Sequence, residues 1–136
     1  MESGASFATL DLEAGERFVR LRHALGVESF GLNLLLLEPG QRGRIHRHER
    51  QEEVYIVLEG TLTLELEGEP HELNPHDAAR VGPDLRRRLS NRGDTRVALI
   101  ALGGAEPHVG RDGLAYTDWD DTEGRPPQEV PLPPDL

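Results

Sequence analysis

The chain has 136 residues, enough for one domain with a real core, and no cysteine, which excludes disulfides, thiol nucleophiles and Cys-ligated zinc. All 15 basic side chains are Arg, so Schiff-base chemistry on a lysine is excluded as well. A formal net charge of −10 and a pI near 5.0 argue against nucleic acid and anionic membrane as main partners.

No basic region followed by an apolar run opens the chain, and no apolar stretch nears membrane-spanning length; the expectation is a cytoplasmic protein. Residues 1–15 are small and acidic and read as a loose terminus or edge segment. Residues 17–22 alternate imperfectly and suggest a first strand; a weak helical period runs through 11–25. Residues 30–38 are apolar on both faces, which predicts a central strand covered on both sides. Pro39-Gly40 signals a turn. Residues 45–48 and 54–58 are the next two strands. Residues 61–67 alternate strictly, with Leu62, Leu64 and Leu66 on one face, and Gly68 returns the chain through 69–73. Strands at 78–81, 85–89 and 95–102 follow, with turns at 74–77 and 91–94.

Eight or nine short strands, with turn signals about every 8–12 residues, predict an all-β sandwich or barrel. The divisions expected are an N-terminal extension and edge strand over 1–29, a barrel core over 30–102, and a C-terminal extension over 103–136. Proline is too dense beyond Glu123 for a sheet interior, so the tail is expected to be extended or disordered, or to strap a neighbouring subunit. Trp119, the only Trp, is the residue able to pin it to the barrel.

The chemistry concentrates between Gly40 and Gly60. His46 and His48 are two apart, so on a strand both imidazoles face one side. Glu53 opens the apolar run 54–58, where a carboxylate is costly without a partner. Two imidazoles and a carboxylate make a ligand set for Zn, Mn, Fe, Ni or Cu. For the two histidines alone, a half-exposed polar strand is the competing reading; for Glu53 it is an ion pair with an inward Arg. His23, His71 and His108 read as surface histidines, and His76 as a turn residue.

Gly40, His46, His48, Glu53 and Gly60 together resemble the first conserved motif of the cupin superfamily: Gly, five residues, His-x-His, three or four residues, Glu, six residues, Gly. Glu52 fits the first spacing and misses the glycine spacing, so Glu53 is the better match. The resemblance covers about residues 30–102. It implies a cupin-type double-stranded β-helix, that is, a jelly-roll barrel, with a Pro-rich C-terminal extension, and a metal held by His46, His48 and Glu53. The family's second motif brings a fourth ligand, a His four residues before an Asn. Set on Asn91, that place is taken by Arg87, and the two glycine places are taken by His76 and Asp84.

Arg stays protonated and is no ordinary metal ligand. Strand alternation puts Arg87 with Leu85 and Leu89, facing the histidines if the leucines are core, and Arg86 and Arg88 on a basic solvated face. A dication and a guanidinium about 5 Å apart repel by roughly 6–7 kcal/mol at an effective dielectric near 20. Arg87 therefore pairs with Glu53 in place of a metal, stretches toward the barrel mouth, or meets the metal through a bridging anion.

Two functions stay open. One is a small cupin binding a divalent transition metal and a small anionic organic ligand, with a site resembling the facial triad of non-haem iron proteins and with or without a reaction of its own. The resemblance is compatible with dioxygenases, isomerases, epimerases and decarboxylases. The other is a metal-free, non-catalytic binding barrel. Arg87 and Tyr55 are the candidate ligand-binding residues in either case. The doubly apolar runs at 34–37 and 54–58 predict a homodimer, because one barrel interior covers only one face of each strand.

Overall fold

The computed structural model describes residues 4–105 and 112–136. Ten strands form two five-stranded sheets in which every paired neighbour is antiparallel. The first sheet runs β1 (Phe18–Val19), β2 (Gly31–Leu37), β9 (Val97–Gly104), β4 (Glu52–Glu59), β7 (Ala78–Val81). The second runs β10 (Gly113–Tyr116), β3 (Ile45–His48), β8 (Arg87–Ser90), β5 (Leu62–Leu66), β6 (Glu69–Leu73). Apart from the β1–β2 and β5–β6 pairs, non-consecutive strands lie side by side, the jelly-roll arrangement expected for an all-β barrel of this length.

Alternation decides what fills the space between the sheets. Tyr55 and Val57 from β4, Val97, Leu99 and Ala101 from β9, and Leu37 from β2 meet Leu62 and Leu64 from β5 and Leu89 from β8 in one buried cluster. The other parity of β2 explains its continuous apolar run. Leu34 and Leu36 face outward, into a second cluster with Leu21, Ala98, Leu12 and Val19. The N-terminal segment thus covers part of the outer face of the first sheet.

That cover corrects the strand expected over residues 17–22. Only Phe18–Val19 is extended, pairing with Leu35 and Leu34. At Leu21 the chain turns into α1 (Leu21–Leu25), which ends at Gly26 with φ 73°. A helical turn lets Leu21 bury itself on Leu34 and Leu36 while Arg20 and Arg22 stay toward solvent; tertiary burial overrides the local alternation. Gly26 is the stop signal, a left-handed residue just past the last turn.

The glycines that flank the chemistry have mechanical reasons. Gly40 has φ 86° in the turn before β3. Gly60 has φ 75°, and a Cβ on it would collide with the Arg96 carbonyl, so the exit of β4 admits no side chain.

The structure also places a strand beyond Leu102. β10 pairs with β3 along its whole length, Gly113 opposite His48 and Ala115 opposite His46. From there the tail lies along the outer face of the second sheet. Arg86 Nη1 donates to Trp119 O and Asp121 O at 2.9 and 3.0 Å, Arg44 Nε to Val130 O at 2.7 Å, and Arg42 Nε to Pro134 O at 3.1 Å. Arg86 and Arg88 stack on the Trp119 ring at 6.0 and 5.6 Å. The solvated basic face expected for Arg86 and Arg88 is therefore a contact surface for the tail, with Glu67 and Glu65 as their carboxylate partners. Among the described residues no helix is long and apolar enough to cross a membrane. His108 and residues 1–3 lie outside the described residues.

Candidate metal centre

Strand parity assembles the site. β3 turns His46 and His48 to the barrel interior, where their rings lie edge to face with centroids 5.4 Å apart. On β4, Glu53 shares the inward parity of Tyr55 and Val57. Glu52 takes the outward one, 54% exposed and paired with Arg80 at 2.8 Å, whereas the Glu53 side chain is 15% exposed. On β8, Arg87 is directly opposite His46, so it faces inward too.

Glu53 is the hub. Its Oε1 lies 3.3 Å from His46 Nε2 and 3.2 Å from Arg87 Nε, and accepts the Tyr55 hydroxyl. Its Oε2 lies 3.3 Å from His48 Nε2. One donor atom from each of His46, His48 and Glu53 falls within 4.8 Å of the others. Burial pushes the Glu53 carboxyl up, but the two imidazoles outweigh it and hold it well below the usual range. Burial also raises the Tyr55 phenol well above its ordinary value, aided by the Glu53 charge, so it remains a donor. For His48 burial pulls the ring down, and Glu53 and Asp112 together outweigh it, leaving it raised.

Each ring has an oxygen at both of its nitrogens. His48 Nδ1 donates to Asp112 Oδ1 at 2.9 Å, closer than the 3.3 Å from its Nε2 to Glu53, while His46 lies 3.3 Å from the Arg44 carbonyl at Nδ1 and 3.3 Å from Glu53 Oε1 at Nε2. Carboxylate and carbonyl oxygens only accept, so Asp112 holds the hydrogen of His48 on Nδ1, and His46 has an acceptor at either nitrogen. With hydrogen on Nδ1, a neutral ring turns an Nε2 lone pair toward the Glu53 carboxylate. Three acceptors converging on one spot need a positive charge between them, either protons on the rings or a metal ion. His48 Nε2 is buried and makes no well-formed hydrogen bond. The donor set and this unsatisfied nitrogen fit a metal whose ligand bonds are about 2.0–2.2 Å.

Asp112 escaped the sequence reading. It sits at the foot of β10, buried, and accepts from Arg50 N, Gln51 N and the Gln51 side-chain amide as well as from His48. It thereby pins the β3–β4 connection and the ring together. Burial pushes its carboxyl up, and the two backbone N–H groups and His48 bring it down below the ordinary value. A carboxylate behind a metal-binding imidazole raises ligand basicity and fixes ring orientation. No motif signals it, since it lies 64 residues from His48.

Arg87 and Tyr55 reach Glu53 rather than open space. Arg87 is 0% and Tyr55 1% exposed. Arg87 Nη1 donates to Pro83 O and Leu85 O at 3.1 and 2.6 Å, which anchors the guanidinium at the end of β8. Of the three arrangements open to Arg87, the structure holds the ion pair with Glu53. His76 lies in the turn before β7 with φ 77°, and His23 and His71 are exposed.

The sequence model of the Cupin domain family matches residues 33–103. The polyketide synthase CurC of Streptomyces cyaneus is 29% identical over 115 residues, covering 75% of each chain. Protein SchB of Streptomyces halstedii is 29% identical over 105 residues, covering 77% of this chain and 75% of its own. Among solved structures, a sugar phosphate isomerase of the cupin superfamily from Silicibacter pomeroyi matches with a TM-score of 0.66 and 26% identity, over 93% of this chain and 97% of that one. A cupin protein from Bacteroides fragilis matches with a TM-score of 0.65 and 22% identity, over 79% and 86%.

Proposed function

The chain belongs to the Cupin domain family, and from that premise we propose that it binds one divalent transition metal through His46, His48 and Glu53 and, beside it, a small organic ligand. The observation that carries this is the convergence of one donor atom from each of His46, His48 and Glu53 within 4.8 Å, with Asp112 holding the hydrogen of His48 on Nδ1. When bound, the ion supplies Lewis-acid polarisation of a carbonyl or carboxylate oxygen of the ligand.

The protein's own residues divide the remaining work. Arg87 and Tyr55 both engage Glu53 Oε1, which leaves Oε2 as the oxygen turned to His48. They hold the carboxylate in place from behind. His46 and His48 are 23% and 15% exposed, so the site is reached from their side of the barrel. A sugar phosphate isomerase and a polyketide synthase are named among the similar proteins. A carbonyl-bearing ligand, or an anionic one with a carboxylate, is the class we assign to this site.

Elemental analysis after chelation and reloading with Zn, Mn, Fe, Ni or Cu is the test. The expected result is one ion per chain for at least one metal, and none for His46→Ala or His48→Ala, because no Cys can substitute. No uptake of any of the five by the wild type rejects the proposal. The second reading, a metal-free binding barrel, is favoured by one feature: Arg87 already places a positive charge 3.2 Å from Glu53 Oε1.

A further inference from the structure

We propose that the chain carries a second ligand site, for a small organic anion with an apolar or aromatic body, between the outer face of the second sheet and the C-terminal tail. A cavity of about 410 Å³ lies there, and small-molecule sites span about 300–1,000 Å³. Arg42, Arg44 and Arg88 bring three guanidiniums to its wall, and Tyr116, Trp119 and residues 130–134 bring rings and apolar surface. The site is separate from the metal centre. Ile45 lines the cavity, while His46, the next residue of β3, turns to the opposite face.

The charge pattern points to an anion. In a chain with 25 acidic and 15 basic residues, a guanidinium has carboxylates to choose from. Arg88 has one, Glu65, at 3.2 Å. Arg42 and Arg44 have none among the described residues; each gives its Nε–H to a neutral tail carbonyl, Pro134 O or Val130 O. Those bonds fix both side chains at the cavity edge while their terminal N–H groups have no acceptor among the described residues. Arg88 Nε is buried and has no hydrogen-bond partner. Asp118 is the acidic residue on the wall, and its Oδ1 is taken by the backbone N–H groups of Asp120 and Asp121. Guanidiniums bind carboxylate and phosphate through paired N–H groups, and a ring at the cavity edge favours a flat apolar body beside them. The tail, with its buried Val130, closes the far side.

Trp119 is the only Trp, so its emission reports the cavity directly. The probes are benzoate and benzyl phosphate, with benzamide as the uncharged counterpart, titrated at constant ionic strength. The expected result is a saturable change with one or both anions, and benzamide binding at least about tenfold more weakly. Whether benzoate or benzyl phosphate binds tighter identifies the anionic group. Arg44→Gln removes the charge and keeps an N–H for the Val130 carbonyl; it should weaken the anion about tenfold or more, the loss of one charged hydrogen bond, with the starting emission unchanged. If Arg44→Gln does shift the starting emission, Arg42→Gln is read in its place. His46→Ala should leave anion binding as it was. No saturable response to either anion up to about 10 mM, an equal response to benzamide, undiminished binding without the guanidinium charge, or loss of binding in His46→Ala each overturns the proposal. The last of these would place the anion at the metal centre, and none of them bears on metal uptake.

Discussion

Asp112→Asn is the substitution that separates a tuned site from a merely packed one. The carboxylate accepts four hydrogen bonds: Arg50 N and Gln51 N on Oδ2 at 2.7 and 2.8 Å, Gln51 Nε2 and His48 Nδ1 on Oδ1 at 2.7 and 2.9 Å. An asparagine in that place can keep its oxygen toward only one of the two pairs. Turning its NH₂ to the backbone pair would leave both backbone N–H groups facing a donor, with no way to adapt. Turning its NH₂ to His48 is less costly, because an imidazole can move its hydrogen to the other nitrogen. Nδ1 then accepts, and Nε2 carries the hydrogen into the place where a metal would sit. Two bonds lose charge assistance, at about 1 kcal/mol each, and the Gln51 amide loses its bond to Asp112, at about 1–3 kcal/mol, for a total near 3–5 kcal/mol of stability. Metal affinity should fall about 10–100-fold. The assays are urea unfolding, calorimetric metal titration, and ¹⁵N chemical shifts of the His48 ring in metal-free protein. A variant that keeps wild-type metal affinity with hydrogen still on Nδ1 would refute this reasoning.

Three further outcomes follow from the same geometry. Arg87→His should raise metal affinity by more than about tenfold, because it removes a guanidinium 3.2 Å from Glu53 and supplies an imidazole opposite His46, whereas Arg87→Lys keeps the charge and should change little in calorimetric titration. Stability of the metal-free protein should peak between about pH 4.5 and 6.5: the lowered carboxyls of Glu53, Glu65 and Asp112 lose their contribution as pH falls through their folded values, and the raised His48 loses its own as pH rises through its folded value. Metal affinity should instead climb across that upper limb, with proton release, and a urea midpoint that rises from about pH 6.5 to 8.5 without metal would contradict the assignment. The outward residues Val54 and Leu102 remain half-buried beside exposed Phe30, and Ile56 on the same face is half-buried too, so we expect sedimentation equilibrium to give twice the 15.1 kDa chain mass at tens of micromolar, roughly typical assay conditions; a monomer there rejects the dimer.

Period and spacing made part of this site legible. Glu53 is separable from Glu52 by the glycine spacing, and the parity of β4 turns Glu53 inward and Glu52 to solvent. Arg87 is readable as inward from Leu89 on the same strand face, although Leu85, the other guide, is exposed and precedes the strand. The outer cover of β2 was legible only as a need. Leu34 and Leu36 required a partner, and the amphipathic turn at Leu21 that meets it is too short to show a helical period. β10 is four residues, Gly-Leu-Ala-Tyr, with one glycine and no alternation to read. Asp112 depends on that strand for its place, so its pairing with His48 is a product of the register Gly113 opposite His48 and of nothing local. The tail was legible as proline-rich and extended; that arginines of the second sheet hold its backbone carbonyls is a contact no side-chain pattern in the tail encodes.

The central claim is that His46, His48 and Glu53 turn three acceptors onto one cation. An anomalous-scattering map from crystals of metal-loaded protein tests it most directly, with data on either side of the metal's absorption edge. The account predicts one peak about 2.0–2.2 Å from both His46 Nε2 and His48 Nε2, with Glu53 Oε2 as the third protein ligand and Arg87 still on Oε1. A peak elsewhere, or none at stoichiometric loading with both rings hydrogen-bonded to Glu53 through protonated Nε2 atoms, would contradict it.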